Sequence, residues 1–219
     1  MVKKFLASAL FCFICTIHLF AQYDPSHFYM MGRRALMEGK YSTAIESVNV
    51  LSIIDTSDCE AYFFRGISKY NLGDSVGAEK DFDMTLKKNP LYTQGYHYRA
   101  ITKSQEGKFD EALEDLAHAV DLRPGYIELY FSRGVTFFMS QQFENAIKDF
   151  NKYIKNRPKE GAAYLNRGAS HLFLGDTTLA LADFNKAIQL DMYDADAYVR
   201  RSRIYAMKEE YDTAINDLD

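Results

Sequence analysis

The chain has 219 residues, of which 47% are hydrophobic and 26% are charged, and these proportions exclude a wholly disordered protein. The 26 Lys and Arg against 30 Asp and Glu give a formal net charge of −4, which does not indicate the basic surface that nucleic acid requires. Four Pro and 12 Gly are too few for a collagen-like or low-complexity chain.

Residues 1–21 have the order of side chains that is typical of a secretory signal peptide. Two lysines give the start a positive charge, a mainly apolar run covers residues 5–20, and the small Ala21 ends the segment. We expect cleavage after Ala21, a short lead-in of residues 22–24, and export to the periplasm, the outer envelope or the medium. The alternative is an uncleaved signal-anchor that tethers the chain to a membrane, but the run is short for a full span.

From residue 25 onward the chain repeats with a period of 34 residues. In each unit the fourth residue is aromatic, the eighth is small, the twentieth is Ala, and the twenty-fourth is large and apolar. Self-similarity at a fixed period of this length indicates an array of stacked structural repeats. The units begin, without insertion or deletion, at Pro25, Cys59, Thr93, Ile127, Gly161 and Ala195.

Each unit is predicted to form two amphipathic helices. Positions 4, 8 and 11 share one helical face, as do positions 20, 24 and 27. A glycine at position 15 predicts the turn between them in four units, and Gln141 and Glu209 take its place in the fourth and sixth. We expect eleven full helices and a short final one, no β-strand, and first helices that cover roughly positions 1 to 14. The alanines at position 20, among them Ala112, Ala146 and Ala180, should be almost wholly buried.

This pattern resembles the tetratricopeptide repeat (TPR) family. The resemblance rests on the period, the small residue at position 8, Ala at 20, the apolar residue at 24, and Pro at position 32 in three units. It implies an all-α, right-handed TPR solenoid of antiparallel helix pairs, whose concave inner face is made mostly by the first helices. Such a solenoid binds partners and does not usually catalyse. The repeats would be 25–58, 59–92, 93–126, 127–160, 161–194 and an incomplete sixth, 195–219.

The sixth repeat stops short of a full unit, and a terminal repeat normally needs a polar cap over its apolar face. We expect either that the sequence is a fragment of a longer array, which we favour, or that another chain or domain covers this end. End-to-end self-association through the uncapped repeat is the corresponding partner hypothesis.

Arginine at position 7 and aspartate at position 23 occur together in repeats two to six, and both are absent from the first repeat, which has Met31 and Ser47. This co-occurrence favours a ladder of ion pairs between first and second helices. The alternative is a positive stripe that grips acidic ligands. The residues are Arg65, Arg99, Arg133, Arg167 and Arg201, with Asp81, Asp115, Asp149, Asp183 and Asp217.

Apolar side chains also follow positions 5, 9, 12 and 13 of the first helices, which the TPR resemblance places on the concave face. An apolar groove there would suit an amphipathic helix or an apolar peptide, whereas the alternative is burial between neighbouring repeats. Some TPR proteins clamp a peptide's terminal carboxylate with Lys and Asn on this face, but that pattern is missing here. The predicted groove residues are Tyr29, Phe63, Tyr70, His97, Phe131, Phe138, Met139, Leu165 and Phe173.

The sequence contains no recognisable catalytic or metal-binding motif: no metal-ligand spacing, no Gly-rich phosphate loop, no GxSxG and no HExxH. We therefore predict no catalytic, metal or cofactor residues, and no nucleic-acid partner. The predicted function is a non-enzymatic scaffold or adaptor that binds a protein or peptide in its apolar groove. The alternatives are the N-terminal recognition segment of a larger enzyme encoded beyond Asp219, and a structural repeat protein that self-associates.

Overall fold

The computed structural model describes residues 24–54, 58–190 and 195–218, and the predicted signal peptide, residues 1–21, lies outside these ranges. Within them the chain forms twelve α-helices and no β-strand, which confirms the predicted all-α fold. The helices are α1 (Pro25–Met37), α2 (Tyr41–Ile54), α3 (Cys59–Asn71), α4 (Ser75–Lys88), α5 (Thr93–Gln105), α6 (Phe109–Leu122), α7 (Glu128–Met139), α8 (Phe143–Asn156), α9 (Gly161–Phe173), α10 (Thr177–Leu190), α11 (Ala195–Met207) and α12 (Tyr211–Asn216).

The helices pair within repeats, as the period predicts. A turn of three residues joins the two helices of every repeat, and such short connections bring successive helices together antiparallel. The chain divides into two compact units, Met1–Tyr98 and Arg99–Asp219, with the boundary inside α5. The first unit contains α1 to α4 and the start of α5, and the second contains the rest of α5 and α6 to α12.

The turn between paired helices has the same geometry in all six repeats. Position 15 has a positive φ, both at the four glycines, such as Gly175 with +86°, and at Gln141 and Glu209, each with +62°. The following residue donates its backbone N–H to the carbonyl five residues earlier, as Gln142 does to Phe137 at 2.8 Å. This bond closes the first helix in a Schellman-type cap. The two repeats without glycine therefore keep the turn and accept an unfavourable backbone conformation.

Replacing Gln141 with Gly is expected to raise the free energy of unfolding by about 1 kcal/mol, because glycine adopts the left-handed conformation without a Cβ conflict. The change should appear as a higher midpoint of urea unfolding followed by circular dichroism. Gln142→Gly is the matched control, since Gln142 has a φ of −91° and should gain nothing from glycine. Equal or lower stability of Gln141→Gly would show that the turn is not strained.

In the core of each repeat, a small residue at position 8 leaves room for the large apolar residue at position 24. Ala112, Ala146 and Ala180 at position 20 are 0% exposed, as predicted. In the fourth repeat, a Cβ added to Gly134 would lie 2.7 Å from the ring of Phe150, which is closer than atoms can pack. The second and fifth repeats have the same Gly–Phe arrangement, whereas the third combines Ala100 with Leu116.

Candidate partner-binding site

Each ladder arginine donates two hydrogen bonds to the aspartate that lies 16 residues later in its own repeat. Arg133 Nε lies 2.6 Å from Asp149 Oδ2, and its Nη2 lies 2.8 Å from Oδ1. This is the bidentate geometry that guanidinium and carboxylate groups favour. The same two bonds join Arg65 to Asp81, Arg99 to Asp115, Arg167 to Asp183, and Arg201 to Asp217.

The ladder pairs are part of the packing between helices. Asp149 is 6% exposed, and Asp81, Asp115 and Asp183 are also buried. The hydrogen bonds that Arg133 donates to the Asp149 carboxylate hold the pKa of the Arg133 guanidinium above its ordinary value, so the arginine stays charged. A guanidinium engaged in this way by a buried carboxylate is not available to an acidic ligand. The geometry therefore favours the structural ladder over the ligand-gripping stripe.

Three of the ladder arginines, Arg65, Arg167 and Arg201, also reach the preceding repeat, a link that was not predicted from the sequence. Arg167 Nη1 donates to Asn151 Oδ1 at 2.6 Å, and this asparagine lies 16 residues earlier, at position 25. Arg65 bonds Asn49 at 2.8 Å and Arg201 bonds Asn185 at 2.6 Å in the same way. The recurring asparagine at position 25 is the sequence signal that could have revealed the link. Arg65 and Arg167 therefore each connect three helices, and Arg201 connects α11 to α10 and to the C-cap of α12.

Two of the predicted groove residues lie in the core of the first unit, which corrects their assignment. Phe63 is only 4% exposed, and its ring lies 5.0 Å from that of Tyr92 and 5.5 Å from that of Tyr98. His97 is 6% exposed, with its ring 5.6 Å from Tyr98. These side chains are covered by neighbouring aromatic rings, so they stabilise the helix packing and are not open to a partner.

The other two groove residues of the first unit are partly buried. Tyr70 packs against the cluster formed by Phe63, Ala78 and Phe82. Tyr29 donates its hydroxyl to the Glu60 carboxylate. Burial, with a further contribution from this hydrogen bond, raises the pKa of Tyr29 to about 12. Tyr29 and Tyr70 therefore contribute mainly to contacts within the unit.

The second unit contains a concave pocket of about 400 Å³ between the end of α5 and α7. Its lining occupies positions 9, 12 and 13 of the third repeat and positions 5, 6, 9, 10 and 13 of the fourth. The pocket thus contains Phe131 and Met139 from the predicted groove and lies on the face on which the groove was predicted. The lining residues are Ile101, Ser104, Gln105, Phe131, Ser132, Val135, Thr136 and Met139.

The chemistry of this pocket is apolar with internally bonded hydroxyls. All eight lining side chains are uncharged. Thr136 Oγ1 donates to the Ser132 carbonyl at 2.9 Å, and Ser104 Oγ donates to Met139 Sδ at 3.7 Å. The Phe131 ring is held 5.0 Å from Tyr153. Because its hydroxyls have partners and its largest ring is fixed, the pocket is formed in advance for an apolar side chain.

An aromatic cluster lies beside the pocket, at the turn ends of three helices. Phe173 stacks on Phe143 with ring centroids 4.9 Å apart and planes 4° from parallel, and Phe138 meets Phe173 edge-on at 5.6 Å. Phe173 is nevertheless 62% exposed. Phe143 was not among the predicted groove residues, because it belongs to a second helix. Leu165, the last predicted groove residue, is half-buried against the cluster that contains Phe184.

The described residues form neither a metal-binding cluster nor a membrane-spanning helix. In the described part of the chain, no group of three or more His, Cys, Asp or Glu is placed to hold a metal ion. None of the helices in residues 24–54, 58–190 and 195–218 combines the length and hydrophobicity needed to cross a bilayer.

Comparison with known proteins identifies the repeats. Two family models, both described as tetratricopeptide repeat, match residues 99–161 and 161–191. Residues 99–191 are tetratricopeptide (TPR) repeats. These matches contain the whole pocket, so the pocket is built by the first helices of two consecutive TPR repeats. No curated protein sequence matches the chain.

Solved structures share the TPR fold with this chain. A MamA chain from Desulfovibrio magneticus RS-1, solved from position 41 to its end, is 22% identical with a TM-score of 0.72, covering 78% of this chain and 96% of that chain. PilF from Pseudomonas aeruginosa is 15% identical with a TM-score of 0.76, covering 88% of each chain. YrrB, described as a TPR protein with an unusual peptide-binding site, is 18% identical with a TM-score of 0.68, covering 80% of this chain and 90% of YrrB. These likenesses support an all-α TPR solenoid.

Proposed function

We propose that this TPR protein is a non-enzymatic interaction scaffold that binds an apolar segment of a partner protein in the pocket between α5 and α7. The observation that carries the proposal is the uncharged, preformed pocket of about 400 Å³ on the first-helix face. The structural likeness to YrrB, a TPR protein described as having an unusual peptide-binding site, supports a peptide as the ligand. Association would be driven by burial of apolar surface and should depend little on salt.

Met139 is the most suitable side chain for testing the pocket by substitution. It lines the pocket, yet it is 43% exposed, so its replacement disturbs the core little. An unbranched thioether adapts its shape to different apolar partners. Phe131 would be a poorer probe, because its ring also packs against Phe150 and Tyr153, and truncation would affect folding as well as binding.

Met139→Glu is expected to weaken peptide binding by at least about 10-fold, because a bound apolar side chain would desolvate the new carboxylate. The test selects peptides from a random phage-displayed library on the immobilised protein, then measures their affinity for each variant by fluorescence anisotropy. Met37→Glu is the matched control: Met37 occupies the same repeat position in the first repeat, outside the pocket, and is 79% exposed.

Circular dichroism should show equal helicity for both variants and the unaltered protein. If Met139→Glu binds the selected peptides as tightly as Met37→Glu does, the pocket is not the binding site. Selection of peptides without apolar residues would contradict the proposed chemistry.

We further propose that the scaffold acts after export, because residues 1–21 have the pattern of a signal peptide. Amino-terminal sequencing of the protein from fractionated cells would test this, with Gln22 expected as the first residue of the exported form. A chain that keeps residues 1–21 in the cytoplasmic fraction would contradict export.

A further inference from the structure

Position 9 of the first helices changes from apolar to cationic along the second unit. Ile101 and Val135 line the pocket, Ala169 is buried, and Arg203 on α11 is exposed. Residues at one repeat position lie on the same face of successive first helices. Helices α9 and α11 contribute to one core, since Leu165 and Leu172 of α9 pack against a cluster of Ala180 and Phe184 from α10 and Ile204 from α11. The apolar pocket and Arg203 therefore belong to one face of this unit.

Arg203 differs from the other charged residues on this face. On positions 2, 5, 6, 9, 12 and 13 of α7, α9 and α11, Glu128 is paired with Arg157 at 2.9 Å, and Asp196 is paired with Arg200 at 2.9 Å. Arg203 forms no hydrogen bond or ion pair with residues in the described part of the chain. After these pairings, the charge that this face presents is the positive charge of Arg203.

We infer that the segment bound by this scaffold combines apolar side chains for the pocket with an acidic side chain for Arg203. The inference rests on the proposed function and adds the chemistry of the partner. Packed helices lie 8–10 Å apart, so two steps from α7 to α11 cover about 20 Å. An extended chain advances about 3.3 Å per residue, which places the acidic residue about six residues from the apolar anchor.

The arginine contact contributes to the choice of partner more than to affinity. An exposed guanidinium–carboxylate pair changes binding by about two- to five-fold and weakens with salt. A segment with a lysine at the acidic position would be repelled, and repulsion of this kind sets specificity. The apolar anchor supplies most of the affinity, and Arg203 sets the direction and register of the bound segment.

The test repeats the phage selection with Arg203→Glu and with Arg33→Glu. Arg33 is the matched control, since it is an exposed arginine at position 9 of the first repeat. The unaltered protein and Arg33→Glu should select Asp or Glu about six residues from the apolar anchor. Arg203→Glu should select Lys or Arg at that place and keep the apolar anchor.

The outcomes separate the two proposals. If Arg203→Glu still selects acidic residues, the role of Arg203 is overturned while the pocket proposal stands. If no variant selects an apolar anchor, the pocket proposal itself fails. A selected peptide is then synthesised in two forms, with its acidic residue and with the corresponding amide. The unaltered protein should bind the amide form about two- to five-fold more weakly than the acidic form, whereas Arg203→Gln should bind both forms equally well. Sensitivity to amidation of the peptide terminus instead would show capture of a terminal carboxylate and overturn the side-chain assignment.

Discussion

Replacing Asp149 with Ala is expected to lower the free energy of unfolding by about 3–5 kcal/mol, because it leaves the half-buried Arg133 without its carboxylate. Both hydrogen bonds of the pair are lost. Because Asp149 is only 6% exposed, water cannot fully replace the lost carboxylate as a partner of Arg133. Urea unfolding followed by circular dichroism measures the loss. The exposed Glu114, one residue before a ladder position on α6, provides the control, and Glu114→Ala should change stability by less than about 0.5 kcal/mol.

A double variant separates the net contribution of the ion pair to stability from the destabilisation caused by removing only one partner. Arg133→Met with Asp149→Leu removes both charges and fills the space with apolar atoms, so it should regain most of the stability lost in Asp149→Ala. A loss below about 1 kcal/mol in Asp149→Ala would show that solvent reaches Arg133 and that the pair is not a buried one.

Replacing Gly134 with Ala is expected to cost about 1–3 kcal/mol, since the new methyl group would overlap the fully buried ring of Phe150. The third repeat shows how to relieve the overlap, because it combines Ala100 with Leu116. Gly134→Ala with Phe150→Leu should therefore be more stable than the sum of the two single losses predicts. Urea unfolding of the four proteins gives this coupling energy.

Gly125→Ala is the control for the glycine substitution itself. A Cβ at Gly125 would meet no atom within 4 Å, so this change should leave stability unchanged or slightly raised. If Gly134→Ala behaves like Gly125→Ala, the two helices of the fourth repeat must be able to separate without cost, which would contradict the close packing at position 8.

The regular features of the fold could be predicted from the sequence because the period repeats them six times. The helix faces and the buried alanines depend on positions that keep their character in every unit, and the turn position is glycine in four of the six. Even Gln141 adopts the glycine conformation, because the surrounding helices fix the turn. Where the same local preference recurs in every repeat and agrees with the packing, a structural prediction made from it is reliable.

The exposure of the groove residues could not be predicted in the same way. Phe63 and Phe131 share position 5, yet Phe63 is buried whereas Phe131 borders the pocket. The difference comes from the residues around them. Tyr92 and Tyr98 cover Phe63, but the equivalent places in the later repeats hold Glu160 and Asn166. Burial at a repeat position thus depends on three-dimensional neighbours, which the pattern of one column does not contain.

The equal spacing of the two contacts of a ladder arginine restricts how the length of such a chain can change. Arg167 bonds Asn151 and Asp183, each 16 residues away, so its two contacts fix the register of the second helix before it and the second helix after it. Loss of one residue between Arg167 and Asp183 would rotate the aspartate by about 100° around its helix, away from the guanidinium. Insertion of a whole 34-residue unit would instead supply its own arginine and aspartate. Descendants and ancestors of this array are therefore expected to differ by entire repeats, while insertions and deletions inside a repeat are selected against.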